Sequence, residues 1–231
     1  MQRLSEAAIL ERIEAGDCFE CEIEDGSFSL KIEDYAPTVG AAIHSGHRFR
    51  KSLHPYCALT EDERLYEEDP FTNQLVEVLP ITMIGQDSRY QYDLNRPLAT
   101  CIYQRAWGRQ VWHTSLPQRE RRQSKQRHQA FYRVWDALVT ALERRFGACL
   151  VYDIHSYNRR ERDSELPTFN LGTAQIDRDR WAAVLDHLLN RLSSIRLGDS
   201  TVRAAYDEVF RGLGYLIAHT NGRFENTLVL H

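Results

Sequence analysis

The sequence predicts a single α/β domain in which helices flank one mixed, mostly parallel sheet. Helix-like and strand-like segments alternate along the 231 residues without internal repeats, an order that is typical of a sheet covered by helices. One strand-like segment is almost continuously apolar, as in strands that are buried on both faces. The length and the 42% hydrophobic content suffice for one substantial core, so residues 1–231 are expected to form one domain.

The composition excludes several classes of partner. The formal net charge of -4 and the pI of about 6.1 provide no overall positive field that would attract nucleic acid or an anionic membrane. No apolar run approaches the roughly 20 residues that span a bilayer, and the N-terminal residues lack the basic and then apolar order of a secretory leader. We therefore expect a cytoplasmic protein that binds neither nucleic acid nor membranes. The oligomeric state stays open.

The first part of the chain predicts one helix and two strands. Glu6–Ala15 has the composition of a short helix, and Phe28–Ile32 alternates in the manner of a strand. Thr38–Ile43 consists of small and apolar residues and leads into the polar segment His44–His47. Polar residues directly after a buried strand mark its carboxyl end, which is the edge at which open α/β sheets bind ligands.

The middle of the chain predicts a short helix and another strand. Asp69 and Pro70 are residue types that are favoured at an N-cap and in a first helical turn. A helix is therefore expected over Phe71–Leu79. Ser88–Leu94 alternates tyrosines with polar residues, which indicates a strand.

A long helix dominates the predicted second half. Gln118–Phe146 contains no Gly or Pro, and large apolar residues recur in it at helical spacing until Gly147 ends it. We interpret its basic first part, Arg119–Arg127, as a solvated face and not as an RNA- or phosphate-binding surface, because no aromatic residues interleave with the charges. The apolar run Ala148–Ile154 predicts a strand that is buried on both faces. The remaining predictions are helices over Arg178–Leu197 and Thr201–Gly212 and a strand over Thr227–Leu230.

Two predicted strands that are far apart in sequence end in the same dipeptide, His-Ser. His44 follows the first of these strands and His155 follows the second, so both imidazoles would lie at one edge of a parallel sheet. Neutral imidazole is a common ligand of Zn²⁺, and a catalytic zinc keeps three protein ligands and one open position. The pattern therefore predicts a zinc site with His44 and His155 as ligands.

The third ligand has several candidates. Glu67, Glu68 and Asp69 stand at the start of a predicted helix, where capping can hold a carboxylate and direct it at the sheet edge. Asp69 is preferred, and Glu68 is the second choice. His47 competes with them because its spacing from His44 also suits a metal site.

Further polar residues are expected beside this edge. Asp153 lies two residues before His155, so it points to the same face and can orient an imidazole from behind. Asn95 and Arg96 follow the predicted strand Ser88–Leu94 and place an amide beside a guanidinium. A guanidinium holds a carboxylate in two places, which an ammonium group cannot do. A small anionic substrate is therefore expected.

Five short blocks make the chain resemble the N-formylglutamate amidohydrolase family from about Thr38 to Leu230. They are His44-Ser45-Gly46, Glu67-Glu68-Asp69-Pro70, Ser88-Arg89 with Asp93-Leu94-Asn95-Arg96-Pro97, Asp153-Ile154-His155-Ser156, and Asn170-Leu171-Gly172-Thr173. The resemblance implies a zinc-carboxypeptidase-like fold, of the phosphorylase/hydrolase-like kind, similar also to the aspartoacylases. It implies zinc-dependent hydrolysis of a linear amide in a small N-acyl amino acid, typically N-formyl-L-glutamate, as in histidine catabolism.

The resemblance also implies a role for individual residues. His44 and His155 occupy the positions of metal ligands, and the acidic triplet, with Asp69 or Glu68, supplies the third. Arg89 resembles the group that polarises the scissile carbonyl. The residues assigned to substrate binding are His47, Asn95, Arg96, Asn170 and Thr173.

The general base is the point at which the chain departs from the family. Family members continue beyond the strand Thr227–Leu230 into a segment whose Glu resembles the base, whereas this sequence stops at His231. We expect truncation before that residue, with Glu225 as the alternative base. Two other hypotheses stay open: a catalytically silent carboxylate-binding protein on the same fold, and an amidase for peptides or cell-wall fragments whose wider groove is lined by Trp107 and Trp112.

Overall fold

A seven-stranded sheet lies at the centre of residues 1–158, 165–198 and 202–231, the part of the chain that the computed structural model describes. The strands are β1 (Gln2–Leu4), β2 (Phe19–Ile23), β3 (Phe28–Ile32), β4 (Thr38–Ala42), β5 (Ile81–Gly85), β6 (Arg105–Ala106), β7 (Arg109–Gln110), β8 (Cys149–Asp153), β9 (Phe169–Leu171), β10 (Ala204–Tyr206) and β11 (Thr227–Leu230). The helices are α1 (Glu6–Ala15), α2 (Glu61–Leu65), α3 (Thr72–Val76), α4 (Gln118–Phe146), α5 (Arg178–Ser193) and α6 (Tyr215–Asn221), with a 3₁₀ helix over Lys51–Tyr56.

The order of strands in the sheet is β1-β2-β3-β5-β4-β8-β11. Strands β5, β4, β8 and β11 run parallel to one another, and β1 is parallel to β2. Strand β3 is antiparallel to both of its neighbours, β2 and β5. The predicted α/β class with a mixed sheet is confirmed, although the parallel character is partial. Because β4 and β8 are parallel neighbours, their carboxyl ends meet at one edge.

Helix α4 supplies a large part of the hydrophobic core. Gly147 ends it in the left-handed conformation (φ 78°), and its N–H donates to the carbonyl of Glu143. Complete burial of one large apolar side chain stabilises the folded state by about 1.5–3 kcal/mol. The helix buries an apolar stripe that is at most 1% exposed and packs on the strands: Phe131, Val134, Trp135, Leu138 and Leu142.

Most predicted elements are confirmed. Helices α1 and α4 and strands β3 and β11 have the predicted bounds, whereas β4, β8 and α5 are shorter than predicted. Strand β5, which lies between β3 and β4 in the sheet, was not predicted. In the described ranges, no helix combines the length and the apolar character needed to cross a membrane.

Two predicted elements are wrong. Ser88–Leu94 is not a strand but a series of turns, in which the Gln91 N–H donates to the Ser88 carbonyl. Its tyrosines are buried in two different hydrophobic clusters, which produces an alternation without a sheet. The helix predicted over Thr201–Gly212 begins outside the described residues, and the rest of that segment contains β10 and irregular structure.

The helix predicted over Phe71–Leu79 is the short helix α3, and Asp69 does not cap it. Phe71 precedes the helix with a φ of 70°, and no side chain caps this end. The carbonyl of Asp69 accepts hydrogen bonds from the N–H and the hydroxyl of Thr72. Its carboxylate is therefore free to face the carboxyl edge of the sheet.

Candidate metal and active site

The carboxyl ends of β4 and β8 bring two histidines together. The two strands pair with Ala41 opposite Asp153. In each case a histidine lies two residues after the end of the strand. The Nδ1 atoms of His44 and His155 lie 3.2 Å apart. Two side chains that are separated by 111 residues thus meet at one point.

Asp69 completes a three-residue group at this point. Its N–H donates to the His44 carbonyl over 3.0 Å, which holds the segment against the end of β4. Its Oδ2 lies 2.8 Å from His155 Nδ1 and 3.4 Å from His44 Nδ1, and its Oδ1 accepts a hydrogen bond from Ser156. We call these side chains the His44–Asp69–His155 cluster; they form a group that could hold a metal ion.

The spacing within the cluster fits a tetrahedral cation. Bonds of about 2.0–2.1 Å to zinc place neighbouring ligand atoms about 3.3 Å apart in a tetrahedron. The three separations in the cluster are 2.8, 3.2 and 3.4 Å. Two imidazole nitrogens and one carboxylate oxygen are also a usual ligand set for a catalytic zinc, whose fourth position stays open. The residues therefore fit such an ion.

Carboxylates lie behind both imidazoles, and that of Asp93 fixes the orientation of His44. His44 Nε2 is 2.7 Å from Asp93 Oδ1, so this nitrogen carries the proton and Nδ1 presents its lone pair to the cluster. His155 Nε2 is 3.2 Å from Asp153 Oδ1, close enough for an ion pair but without hydrogen-bond geometry. A carboxylate on the second nitrogen is the arrangement that orients histidine ligands in metal sites.

The charge around the cluster also favours a cation. Burial opposes the ionisation of Asp69, Asp93 and Asp153, yet the facing histidines and Arg89 hold the pKa of each carboxyl well below its ordinary value. Burial likewise opposes the charging of His155, but Asp153 and Asp69 raise its pKa to about 10. Only Asp93 pairs with arginines, Arg89 at 3.0 Å and the half-exposed Arg96 at 3.7 Å. Among the described residues, Asp69 and Asp153 form ion pairs with histidines alone, so their two negative charges are uncompensated when the imidazoles are neutral. A divalent cation would compensate both.

His231 extends the group from the end of β11. Its Nδ1 lies 3.1 Å from Asp153 Oδ2, and its ring centroid is 4.4 Å from that of His155. Burial lowers the pKa of His231. No role was predicted for His231, although it carries the same signal as His44, a histidine directly after a buried parallel strand.

Two neighbouring cavities lie at this edge of the sheet, and one of them contains the cluster. The main cavity, of about 460 Å³, includes all three cluster residues among its walls. The side cavity, of about 350 Å³, includes Arg96 and Arg211. These sizes are within the range of about 300–1,000 Å³ that is usual for small-molecule sites. The two cavities are adjacent, since five residues belong to the walls of both: Arg89, Asn95, Val209, Phe210 and His231.

The residues expected to contact substrate carboxylates and the scissile carbonyl lie at the junction of the cavities. Arg89 donates to Asp93 Oδ2 (3.0 Å) and to the Glu67 carbonyl (3.1 Å), so its guanidinium is fixed. Asn95 Oδ1 accepts the N–H of Leu216 at the start of α6. Arg96 lines the side cavity, and half of its side chain is exposed.

Glu68 lies in the wall of the main cavity but not in the metal cluster. Its Oε2 contacts Nδ1 of His47, whose Nε2 is 3.2 Å from Glu61 Oε1. Its Oε1 is buried and has no hydrogen-bond partner among the described residues. His47 therefore holds Glu68, and the buried Oε1 is left without a hydrogen bond among the described residues.

Asn170 and Thr173 line neither cavity. Their side chains instead form hydrogen bonds to the loop that follows β10. Asn170 donates to the Phe210 carbonyl and accepts the N–H of Val209. The N–H and hydroxyl of Thr173 donate to the carboxylate of Asp207, at 2.7 and 2.5 Å. Both residues therefore shape the wall through the loop that carries Val209 and Phe210.

Of three further residues that were predicted to take part in the site, only one lines a cavity. Glu225 is exposed and precedes β11, so it lies at the opposite end of that strand from His231, and its carbonyl accepts a hydrogen bond from Arg180. Trp112 is 1% exposed in a separate hydrophobic cluster and lines neither of the two cavities. Trp107 does line the main cavity.

Comparisons with known proteins agree on one family and one fold. The sequence matches the family model of the N-formylglutamate amidohydrolases over residues 36–228. The structure is similar to that of an N-formylglutamate amidohydrolase from Ralstonia eutropha JMP134 (TM-score 0.66, 21% identity, 88% of this chain and 84% of that chain). It is also similar to a gene product from Agrobacterium tumefaciens (TM-score 0.63, 14% identity, 94% and 84%). Among curated proteins, none matches significantly.

Proposed function

The chain belongs to the N-formylglutamate amidohydrolase family, and on that premise we propose that it hydrolyses the amide of a small N-acyl amino acid, N-formyl-L-glutamate in the first instance, with a zinc ion. The observation that carries the proposal is the His44–Asp69–His155 cluster, whose ligand atoms are 2.8–3.4 Å apart. A relation to the zinc carboxypeptidases and aspartoacylases is part of the proposal. A place in cytoplasmic histidine catabolism rests on the family resemblance alone.

The cluster would hold the zinc through His44 Nδ1, His155 Nδ1 and Asp69 Oδ2. Zinc supplies a Lewis acid that polarises a carbonyl oxygen and lowers the pKa of water toward about 7. Asp93 keeps the His44 imidazole oriented from behind, and Asp153 lies behind that of His155. Their negative charge also favours retention of a divalent cation.

The substrate carboxylates are placed in the side cavity. Arg96 and Arg211 are cationic residues in its wall, and a guanidinium binds a carboxylate through two parallel hydrogen bonds. The amide then lies at the junction, beside the fixed guanidinium of Arg89. Arg89 would stabilise the oxyanion that develops on the carbonyl, a contribution of about 3 kcal/mol for a single donor of this kind.

Glu68 is the base that we propose in place of Glu225. Glu68 lines the main cavity, and its Oε1 has no hydrogen-bond partner among the described residues. After a small movement of the side chain toward the cavity, this carboxylate would accept a proton from the attacking water and return it to the leaving amine nitrogen. The C–N bond breaks, and formate and glutamate result. His47 would keep the carboxylate in position through its contact with Oε2.

Metal analysis combined with a formate-release assay tests this function. The wild-type protein should contain one zinc per chain and release formate from N-formyl-L-glutamate at a measurable rate, whatever other acyl groups it accepts, whereas His44→Ala and His155→Ala should lose both properties. His187→Ala, at an exposed position on α5, is the matched control and should change neither. Full zinc occupancy in both cluster variants would overturn the site assignment. Calorimetric binding of glutamate without formate release would favour the silent binding protein.

A further inference from the structure

Three exposed aromatic side chains surround the main cavity. Tyr66, Trp107 and Phe210 are 51%, 45% and 50% exposed. They come from three separate segments of the chain, and all three line the main cavity. Exposed apolar surface around one cavity is typical of a ligand-binding groove, because the free energy falls when a ligand covers large aromatic side chains.

Trp107 is held in this position despite an unfavourable backbone conformation. The hairpin of β6 and β7 turns through Trp107 and Gly108, whose φ angles are 49° and 76°. Turns of this kind favour Asn, Asp or Gly, since larger side chains are strained in the left-handed region. The indole nevertheless has firm support: Arg89 Cζ is 4.7 Å from a ring centroid, and the rings of Tyr90 and Tyr103 contact it edge-on. Strain that is kept beside a binding cavity indicates a functional position.

The walls of the two cavities show which part of a substrate these rings would meet. Tyr66 and Trp107 line the main cavity and not the side cavity. Under the proposed function, on which this inference rests, the substrate carboxylates lie in the side cavity and the amide lies at the His44–Asp69–His155 cluster. The acyl group would then lie in the main cavity, whose wall includes Tyr66 and Trp107.

We propose that Trp107, with Tyr66, forms an acyl subsite that selects N-acyl acidic amino acids with a flat apolar acyl group, such as benzoyl or phenylacetyl, over the formyl group. A formyl group has a single carbon and leaves the aromatic rings in water, whereas an aromatic acyl group covers them. The reaction is the same hydrolysis: water adds to the acyl carbon, the C–N bond breaks, and the amine nitrogen takes the proton. The products are an aromatic carboxylate and glutamate.

Steady-state kinetics of the zinc-containing protein on N-formyl-, N-acetyl-, N-benzoyl- and N-phenylacetyl-L-glutamate test this subsite. The wild type should have a kcat/KM at least about tenfold higher for the aromatic substrates, since one buried methylene already discriminates about 10–200-fold. Trp107→Ala should remove most of that advantage, because it should lower kcat/KM for the aromatic substrates far more than for N-formyl-L-glutamate. Trp107→Phe, which keeps a ring, should retain it. Phe146→Ala, at an exposed position on α4 that is remote from the cavity, should match the wild type throughout.

Other outcomes separate the subsite from the proposed function. If Trp107→Ala lowers kcat/KM equally for all four substrates, Trp107 acts only through Arg89, and the subsite is overturned. If the wild type prefers N-formylglutamate, the acyl specificity is overturned while the hydrolase stands. If no N-acyl glutamate is hydrolysed by zinc-containing protein, the proposed function fails, and the subsite fails with it.

Discussion

The buried carboxylate of Asp93 contacts both the His44–Asp69–His155 cluster and the guanidinium of Arg89. It lies 2.7 Å from His44 Nε2 and 3.0 Å from Arg89, and it accepts the N–H of Asn95 over 2.7 Å. Asp93→Asn keeps the size of the side chain and the bond from Asn95. It removes the negative charge that holds His44 with its Nδ1 lone pair directed at the cluster.

The expected effect has two parts. Loss of a carboxylate behind a histidine ligand weakens metal binding about 10–100-fold, which corresponds to about 1.4–2.8 kcal/mol. The metal-free protein also loses stability, because removing one partner of a buried ion pair costs about 3–5 kcal/mol. We expect the lower end of that range, since Arg89 keeps its hydrogen bond to the Glu67 carbonyl and 13% of its side chain is exposed.

Zinc affinity is measured by chelator competition on metal-free protein, and the stability of the same samples is measured by urea unfolding. Asp136→Asn is the matched control, because Asp136 contacts His219 at 2.6 Å and Arg223 at 3.1 Å outside the cluster. It should leave zinc affinity unchanged. An Asp93→Asn variant that is folded and binds zinc as tightly as the wild type would refute the orienting role of this carboxylate.

Three further perturbations follow from single contacts. Glu68→Gln should lower kcat by about 10²–10⁴-fold, the usual contribution of a general base, and keep its zinc, whereas Glu225→Gln should behave as the wild type. Burial lowers the pKa of His128 below its ordinary value of 6.5. As the pH falls, His128 is therefore protonated in the unfolded chain before it is protonated in the folded protein, and the free energy of unfolding decreases below about pH 6.5. His128→Gln, which keeps a donor for the Arg96 carbonyl, should lose less stability between pH 7.5 and 5.5 in urea titrations. Gly46→Ala would place a Cβ 2.2 Å from the backbone of the segment that directly follows strand β5. We expect this clash to lower the free energy of unfolding by about 1–3 kcal/mol.

Each of these expectations has a contrary result. Wild-type kcat in Glu68→Gln, or an equal loss in Glu225→Gln, would remove Glu68 as the base. A pH dependence in His128→Gln that is as steep as that of the wild type would show that other groups set the acid limb. A Gly46→Ala variant with unchanged stability would mean that the local backbone moves apart without cost.

Local sequence patterns predicted the two histidines because their convergence depends on strand ends and not on side-chain detail. His44 and His155 each follow a buried apolar strand, and parallel neighbouring strands necessarily end at one edge. The placement of Asp69 has another cause than the predicted N-cap: its N–H is bonded to the His44 carbonyl. That contact joins residues that are distant in sequence, and no local pattern encodes it.

The wrong elements have the same origin. In Ser88–Leu94, Tyr90 belongs to one hydrophobic cluster and Tyr92 to another, so the alternation reflects two cores and not the two faces of a strand. Strand β10 exists because it pairs with β9, 35 residues earlier. The contacts of Glu68 and His231 likewise join residues from separate segments, so a single sequence does not predict them.

Anomalous diffraction at the zinc absorption edge, from crystals of the protein as isolated, tests the central claim most directly. We predict one strong peak per chain, about 2.0–2.2 Å from His44 Nδ1, His155 Nδ1 and Asp69 Oδ2. A zinc-free cluster in protein that releases formate, or a peak bound elsewhere, would contradict the account.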